Sequence, residues 1–140
     1  MMEDCSAFLW ALWALVIIYF VQWVVATMVK ARQPGAIPGK LPENLSHDSL
    51  VFRTHRTYMN SLENAPMILG ATALAWLVDA SIFWLSFWLW IYVIARVGHM
   101  ALYYAIATER NPSPRSYFFV LGVVANIAVM VLATLKLIQS

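Results

Sequence analysis

The stretch Ala7–Val29, AFLWALWALVIIYFVQWVVATMV, decides the fold, because it is apolar throughout except for Gln22 and Thr27. At 1.5 Å per residue it makes about 34 Å of helix, enough to cross a hydrocarbon core of roughly 30 Å. Working outward, Lys30 to Asn44 contains Pro34, Gly35, Pro38, Gly39 and Pro42 and reads as a water-facing loop. A second helix over about 46–79 is polar in its first half and apolar from Met67 to Val78. Ser46 or Asp48 is expected to cap it and Pro66 to kink it. Two more apolar helices follow, over about 82–108 and 115–137, separated by the turn Asn111-Pro112-Ser113-Pro114. Short connections make successive helices antiparallel neighbours. The expected fold is all-α, one integral membrane domain over 1–140 folded as an up-down four-helix bundle with four spans and a first helix of about 6–29.

Composition agrees. The chain is 62% hydrophobic and 11% charged, with mean hydropathy +0.70, whereas a soluble domain has about 25% charged residues. A net charge of +2 is too small for a nucleic-acid binder. The single cysteine, Cys5, forms no internal disulfide, and no Cys/His spacing suits zinc, so no metal is expected. The start, with Glu3 and Asp4, lacks the basic region of a secretory signal, so the first helix is expected to remain in the mature protein. Trp10, Trp13, Trp23, Trp84, Trp88 and Trp90 read as interface anchors and lipid-facing packing. Lys30, Arg32, Lys40, Arg53 and Arg56 in or near the first loop, and Arg110 and Arg115 in the third, place those loops in the cytoplasm and both termini away from it. The chain carries no eukaryotic retention signal, which favours a bacterial inner membrane.

Charge inside a membrane helix costs several kcal/mol unless it is paired or wet, so its placement is informative. Arg53, Arg56, Asn60 and Glu63 recur at i, i+3, i+7 and i+10, within an arc of roughly 80° on the second helix. Tyr92, Arg96, His99 and Tyr103 form a similar face on the third. Both faces lie in the cytoplasmic halves of their helices, level with Arg115 and Ser116 at the start of the fourth. Arginines outnumber the lone Glu63, which suits an anionic or zwitterionic ligand with excess carboxylates. The apolar walls suit a lipophilic second substrate arriving through the membrane. Read structurally instead, the same polar groups would be glue between helices, the role expected of Arg96.

The run Arg56-Thr57-Tyr58-Met59-Asn60-Ser61-Leu62-Glu63-Asn64-Ala65-Pro66 resembles the second-helix signature of the membrane-associated proteins in eicosanoid and glutathione metabolism. Ala95-Arg96-Val97-Gly98-His99-Met100-Ala101-Leu102-Tyr103 is similar to the third-helix pattern of microsomal glutathione transferases and prostaglandin E synthases, and Pro114-Arg115-Ser116-Tyr117-Phe118-Phe119-Val120 to the start of their fourth helix. The resemblance covers nearly the entire chain and is nearest to transferase-like bacterial members. Phe119 stands where the prostaglandin E synthases carry a tyrosine, which points to the transferase branch.

The resemblance implies a homotrimer that holds glutathione between adjacent subunits near the cytoplasmic side. It gives Arg56, Asn60 and Glu63 to the peptide, His99 and Tyr103 to the wall of the site, and Arg115 to the sulfur with Ser116 as a hydrogen-bond donor. Arg53 joins the binding set or a central network, and Arg32 reaches a glutathione carboxylate. The implied activity is a glutathione transferase or peroxidase, whose thiolate attacks lipophilic electrophiles or hydroperoxides. Lipids surround it, and no nucleic acid takes part. Two other readings fit parts of the chain: a four-span proton-coupled drug exporter built on Glu63, and a non-enzymatic lipid-binding relative of the same fold. The exporter is disfavoured by the arginine excess, and the lipid binder by retention of the Arg/Asn/Glu set. The orientation is testable: alkaline phosphatase fused after Ser140 is expected to be active in a bacterial host, and an inactive fusion with a fluorescent C-terminal green fluorescent protein would reverse the topology.

Overall fold

The computed structural model describes residues 5–139, which form α1 (Ser6–Ala31), α2 (Leu50–Leu77), α3 (Ile82–Ala105) and α4 (Pro114–Gln139). The acidic pair Glu3 and Asp4 lies outside the described residues. α2 and α3 pack on each other at the centre, with α1 and α4 each packed on both. Side chains at the two ends establish the up-down order. At one end Phe8 of α1 stacks on Trp76 of α2, with ring centroids 4.9 Å apart, and Trp90 of α3 donates to the Ala7 carbonyl at 3.0 Å. At the other, the loop end, the α1–α2 and α3–α4 connections meet, and His47 lies 3.1 Å from the Tyr103 hydroxyl.

The core contains Leu15, Ile68, Leu85, Leu89, Ala125 and Val129. Small residues let the helices approach closely where lipid supplies little driving force for association. Gly98 of α3 faces the Phe118 ring of α4 so closely that a Cβ has no room, and a Cβ at Gly122 would meet Ala95 and Tyr92 at 3.7 and 3.8 Å. The outer faces of α1 and α4 expose Leu9, Phe20, Val120, Ile127 and Val131, the surface a bilayer covers. Trp10, Trp13, Trp23, Trp84 and Trp90 are exposed, and Trp88 packs partly into the core.

Of the four expected spans, three stand out by length and composition. Three helices, α1, α3 and α4, are long and apolar enough to cross a membrane by composition. α2 runs from one end of the bundle to the other, but Arg53, Arg56 and Glu63 in its first half deny it the character of a lipid-exposed span.

Two helix boundaries also differ from the sequence reading, for one reason. α2 begins at Leu50 rather than near 46, after Ser49 in extended conformation. The Ser46 hydroxyl accepts the Asp48 N–H, and no side chain caps the helix. Arg53 Nη1 donates to the carbonyls of His47 and Asp48 at 2.7 and 2.9 Å, holding those residues outside the helix. α3 ends at Ala105 rather than 108, where a second guanidinium intervenes: Arg115 Nη2 donates to the Thr108 carbonyl at 3.1 Å. Helix C-termini leave carbonyls without partners, and Arg53 Nη2 reaches one of them, Tyr104 O in the last turn of α3, at 3.4 Å. The α2–α3 turn closes by paired bonds, Ala80 N–H to Ala75 O and Asp79 N–H to Trp76 O, with Asp79 at φ +58° in the position glycine usually takes.

One seam of the interior is polar. Arg96 of α3 is 1% exposed and donates through Nη2 to Asn60 Oδ1 at 2.8 Å and Ser61 Oγ at 2.9 Å on α2. Tyr19 of α1 and Tyr92 of α3 lie beside it, and Gln22 of α1 is fully buried. Two predictions follow from this packing. Ser61→Ala is expected to cost about 1.5–3 kcal/mol, a hydrogen bond to a buried charge, read as a lower unfolding midpoint in detergent. Ser86→Ala, whose hydroxyl only returns to Ile82 O of its own helix, is the control expected to leave it in place. Gly98→Ala is expected to cost about 1–3 kcal/mol by overpacking against Phe118, and an unchanged midpoint would refute the close approach.

Candidate functional site

The α2 polar face, read as one stripe, divides three ways in the structure. Arg53 turns back to the loop end, where it holds the His47 and Asp48 carbonyls and reaches Tyr104 O at 3.4 Å. Asn60 turns inward to Arg96. Arg56 and Glu63 turn outward as an ion pair, with Nη1 and Oε1 3.4 Å apart and side chains 41% and 52% exposed. The i, i+7 spacing puts them two turns apart on one face, so only long side chains can meet. A half-uncovered ion pair on a helix flanked by apolar spans is costly toward hydrocarbon, so this face demands water, a polar ligand or another chain.

Asn60 is placed to serve that face. Because its carbonyl oxygen accepts from Arg96, its amide hydrogens are the group left for another partner. Arg96, expected to be glue, therefore also fixes the orientation of a candidate ligand contact.

The α3 face, in contrast, is buried as a unit: Tyr92, Arg96, His99 and Tyr103 all lie inside. Its loop-end half builds a second cluster. Arg115 lies over the Tyr103 ring, its guanidinium carbon 4.1 Å from the centroid, while His99 meets the ring's edge at 5.5 Å. Arg115 Nη1 and His99 Nδ1 are buried and have no hydrogen-bond partner. A cation held on an aromatic face with an unpartnered N–H group is a ready anion receptor. Ser116 accepts the Ser113 N–H at 3.1 Å, half of a capping box at the start of α4, and shares a 3.1 Å contact with Ser113 Oγ. When Ser113 donates in that contact, the Ser116 hydrogen is free to point elsewhere.

Two members of this cluster escaped the sequence reading. His47 and Glu109 lie in the two loops, 3.5 Å apart, and His47 Nε2 contacts the Tyr103 hydroxyl at 3.1 Å across 56 positions of sequence. No local pattern marks either residue, and a helix drawn from 46 would have carried His47 away.

The expected residues do not form one pocket within the chain. Arg56 and Glu63 make no hydrogen bond or ion pair with the Tyr103–Arg115 cluster among the described residues. Arg32 stands exposed at the C-cap of α1, joined to neither group. A cavity of about 240 Å³ between α1, the first loop and α2 is lined instead by Trp23, Lys30, Val51, His55 and Tyr58 among others.

Comparison with known proteins supplies the frame for these groups. No individual curated protein and no solved structure matches the chain. The family model described as MAPEG family matches residues 7–135, from the first turn of α1 to the last turns of α4. The match spans all four helices of the bundle, and this chain belongs to the MAPEG family.

Proposed function

We propose that the protein is a glutathione-dependent transferase or peroxidase of the membrane, acting as a homotrimer whose site forms where the outward face of α2 meets the loop end of an adjacent copy. The observation that carries this reading is the Arg56–Glu63 pair, half uncovered on a helix between apolar spans. A zwitterionic peptide satisfies both members, with Glu63 taking its ammonium and Arg56 a carboxylate. Asn60 offers amide hydrogens between them, oriented by Arg96. Arg32, at the loop-end rim, serves a second carboxylate, and Arg53 holds the loop in place rather than touching the ligand.

The residues present fit glutathione in sign and in donor set. When bound, glutathione supplies a thiol whose ionised form attacks electrophilic carbon or reduces a peroxide. A free thiol has a pKa of about 8.5 and is mostly protonated at neutral pH. Arg115, with an unpartnered N–H group, stabilises negative charge on sulfur; a cation within reach lowers such a pKa by roughly 1–3 units. Ser116 adds a hydroxyl donor, and His99 and Tyr103 wall the site and keep Arg115 in place. An exporter built on Glu63 fits less well, because that carboxylate is already paired with Arg56.

Purified protein, glutathione and a chromophoric chloronitroarene or a lipid hydroperoxide test the reading. Conjugation or peroxide reduction is expected, and Arg115→Ala is expected to lower kcat by about a hundredfold while glutathione still binds. Glutathione-independent exchange of cations for protons in vesicles, with no conjugation or peroxide reduction, would replace the enzyme with the exporter.

A further inference from the structure

Arg115 can steady a sulfur anion but cannot receive the hydrogen that the thiol gives up, since a guanidinium stays protonated in proteins. An acceptor must be reachable from the place where Arg115 lies, and that place is the face of Tyr103. The Tyr103 hydroxyl leads to His47 Nε2 at 3.1 Å, and His47 Nδ1 leads on to Glu109 Oε1 at 3.5 Å. Along this line the surroundings change from a buried phenol ring, through an imidazole mostly covered, to a carboxylate whose side chain is 72% exposed.

We propose that His47 is the acceptor for the thiol proton, reached through the Tyr103 hydroxyl and backed by the Glu109 carboxylate, an assignment that rests on the glutathione reading above. Three features hold His47 to this position. Its ring lies near-parallel to Tyr103 at 5.9 Å, the Phe52 ring meets it edge-on at 4.8 Å, and its own carbonyl is pinned by Arg53. With hydrogen on Nδ1 facing Glu109, Nε2 presents a lone pair to the Tyr103 O–H, a tautomer inferred from the partners. His99 meets the same ring edge-on, but its charged neighbours are Arg96 and Arg115 and no carboxylate. His47 has the carboxylate.

The transfer balances. The S–H bond breaks as an O–H bond forms at Tyr103, and the original Tyr103 hydrogen moves to His47 Nε2. Tyr103 keeps its charge, and His47 becomes an imidazolium facing Glu109. No atom is oxidised or reduced. The proton leaves to water at the exposed carboxylate, and exchange of the ring hydrogens with water restores the starting tautomer. His47 and Glu109 act through Tyr103 and never touch the sulfur, so they are relay residues.

The test mixes purified full-length protein with glutathione, without electrophile, and follows the ultraviolet thiolate band by stopped flow. His47→Ala is expected to slow its appearance by about a hundredfold, and imidazole in the medium to restore most of the rate. Glu109→Gln, an exposed change that leaves the bundle intact, is expected to slow it less without altering the amount of glutathione bound. In the ligand-free protein, nitrogen NMR of the three histidines is expected to show His47 Nε2 as an unprotonated acceptor whose shift moves in Tyr103→Phe. An unchanged rate in His47→Ala, or a slow rate that imidazole does not restore, overturns the relay while leaving the glutathione reading standing. Failure of the wild type to bind glutathione at all overturns both.

Discussion

A guanidinium enclosed by apolar helices is tolerable only when its hydrogens are answered, and in this bundle the demand falls on Arg96. Asn60 and Ser61 answer it from α2. Because both are neutral, the charge is solvated without being cancelled, and the bundle keeps a positive interior at the height where the candidate site lies. The same bonds fix the register of α2 against α3. They also decide which end of the Asn60 amide faces outward, so packing and ligand recognition meet at one residue.

The loop end repeats the principle with backbone carbonyls. Arg53 gathers His47 and Asp48, and Arg115 gathers Thr108. Each guanidinium shortens a helix relative to its apolar pattern and folds the freed residues over the bundle. That folding brings His47 and Glu109 to Tyr103. The residues that stop the helices are therefore the ones that assemble the second polar cluster, and Arg115 does both at once.

α2 differs from its three neighbours because it carries this chemistry. A helix with Arg56 and Glu63 half uncovered cannot face hydrocarbon along its full length. The outward pair and the Tyr103–Arg115 cluster stand as separate groups in the chain.

The sequence by itself determined the helical class, the approximate extents of α1 and α4, and the buried face of α3. These depend on apolar runs and a 3.6-residue period, which are local properties of the chain. It also marked two polar faces, Arg53, Arg56, Asn60 and Glu63 on α2 and Tyr92, Arg96, His99 and Tyr103 on α3, through polar groups placed where hydrocarbon penalises them. Periodicity gave the α2 residues one face, but it has no term for side-chain length or for a partner helix. So Arg53, Asn60 and Arg56 share an arc in sequence and part ways in space. Only the folded structure decided where α2 begins and α3 ends, because guanidinium groups five to seven residues away hold carbonyls that a longer helix would otherwise use. Only it brought His47 and Glu109 to Tyr103, since a contact across 56 positions between a loop and α3 is set by how the chain closes over the bundle and leaves no trace in the loop's own residues.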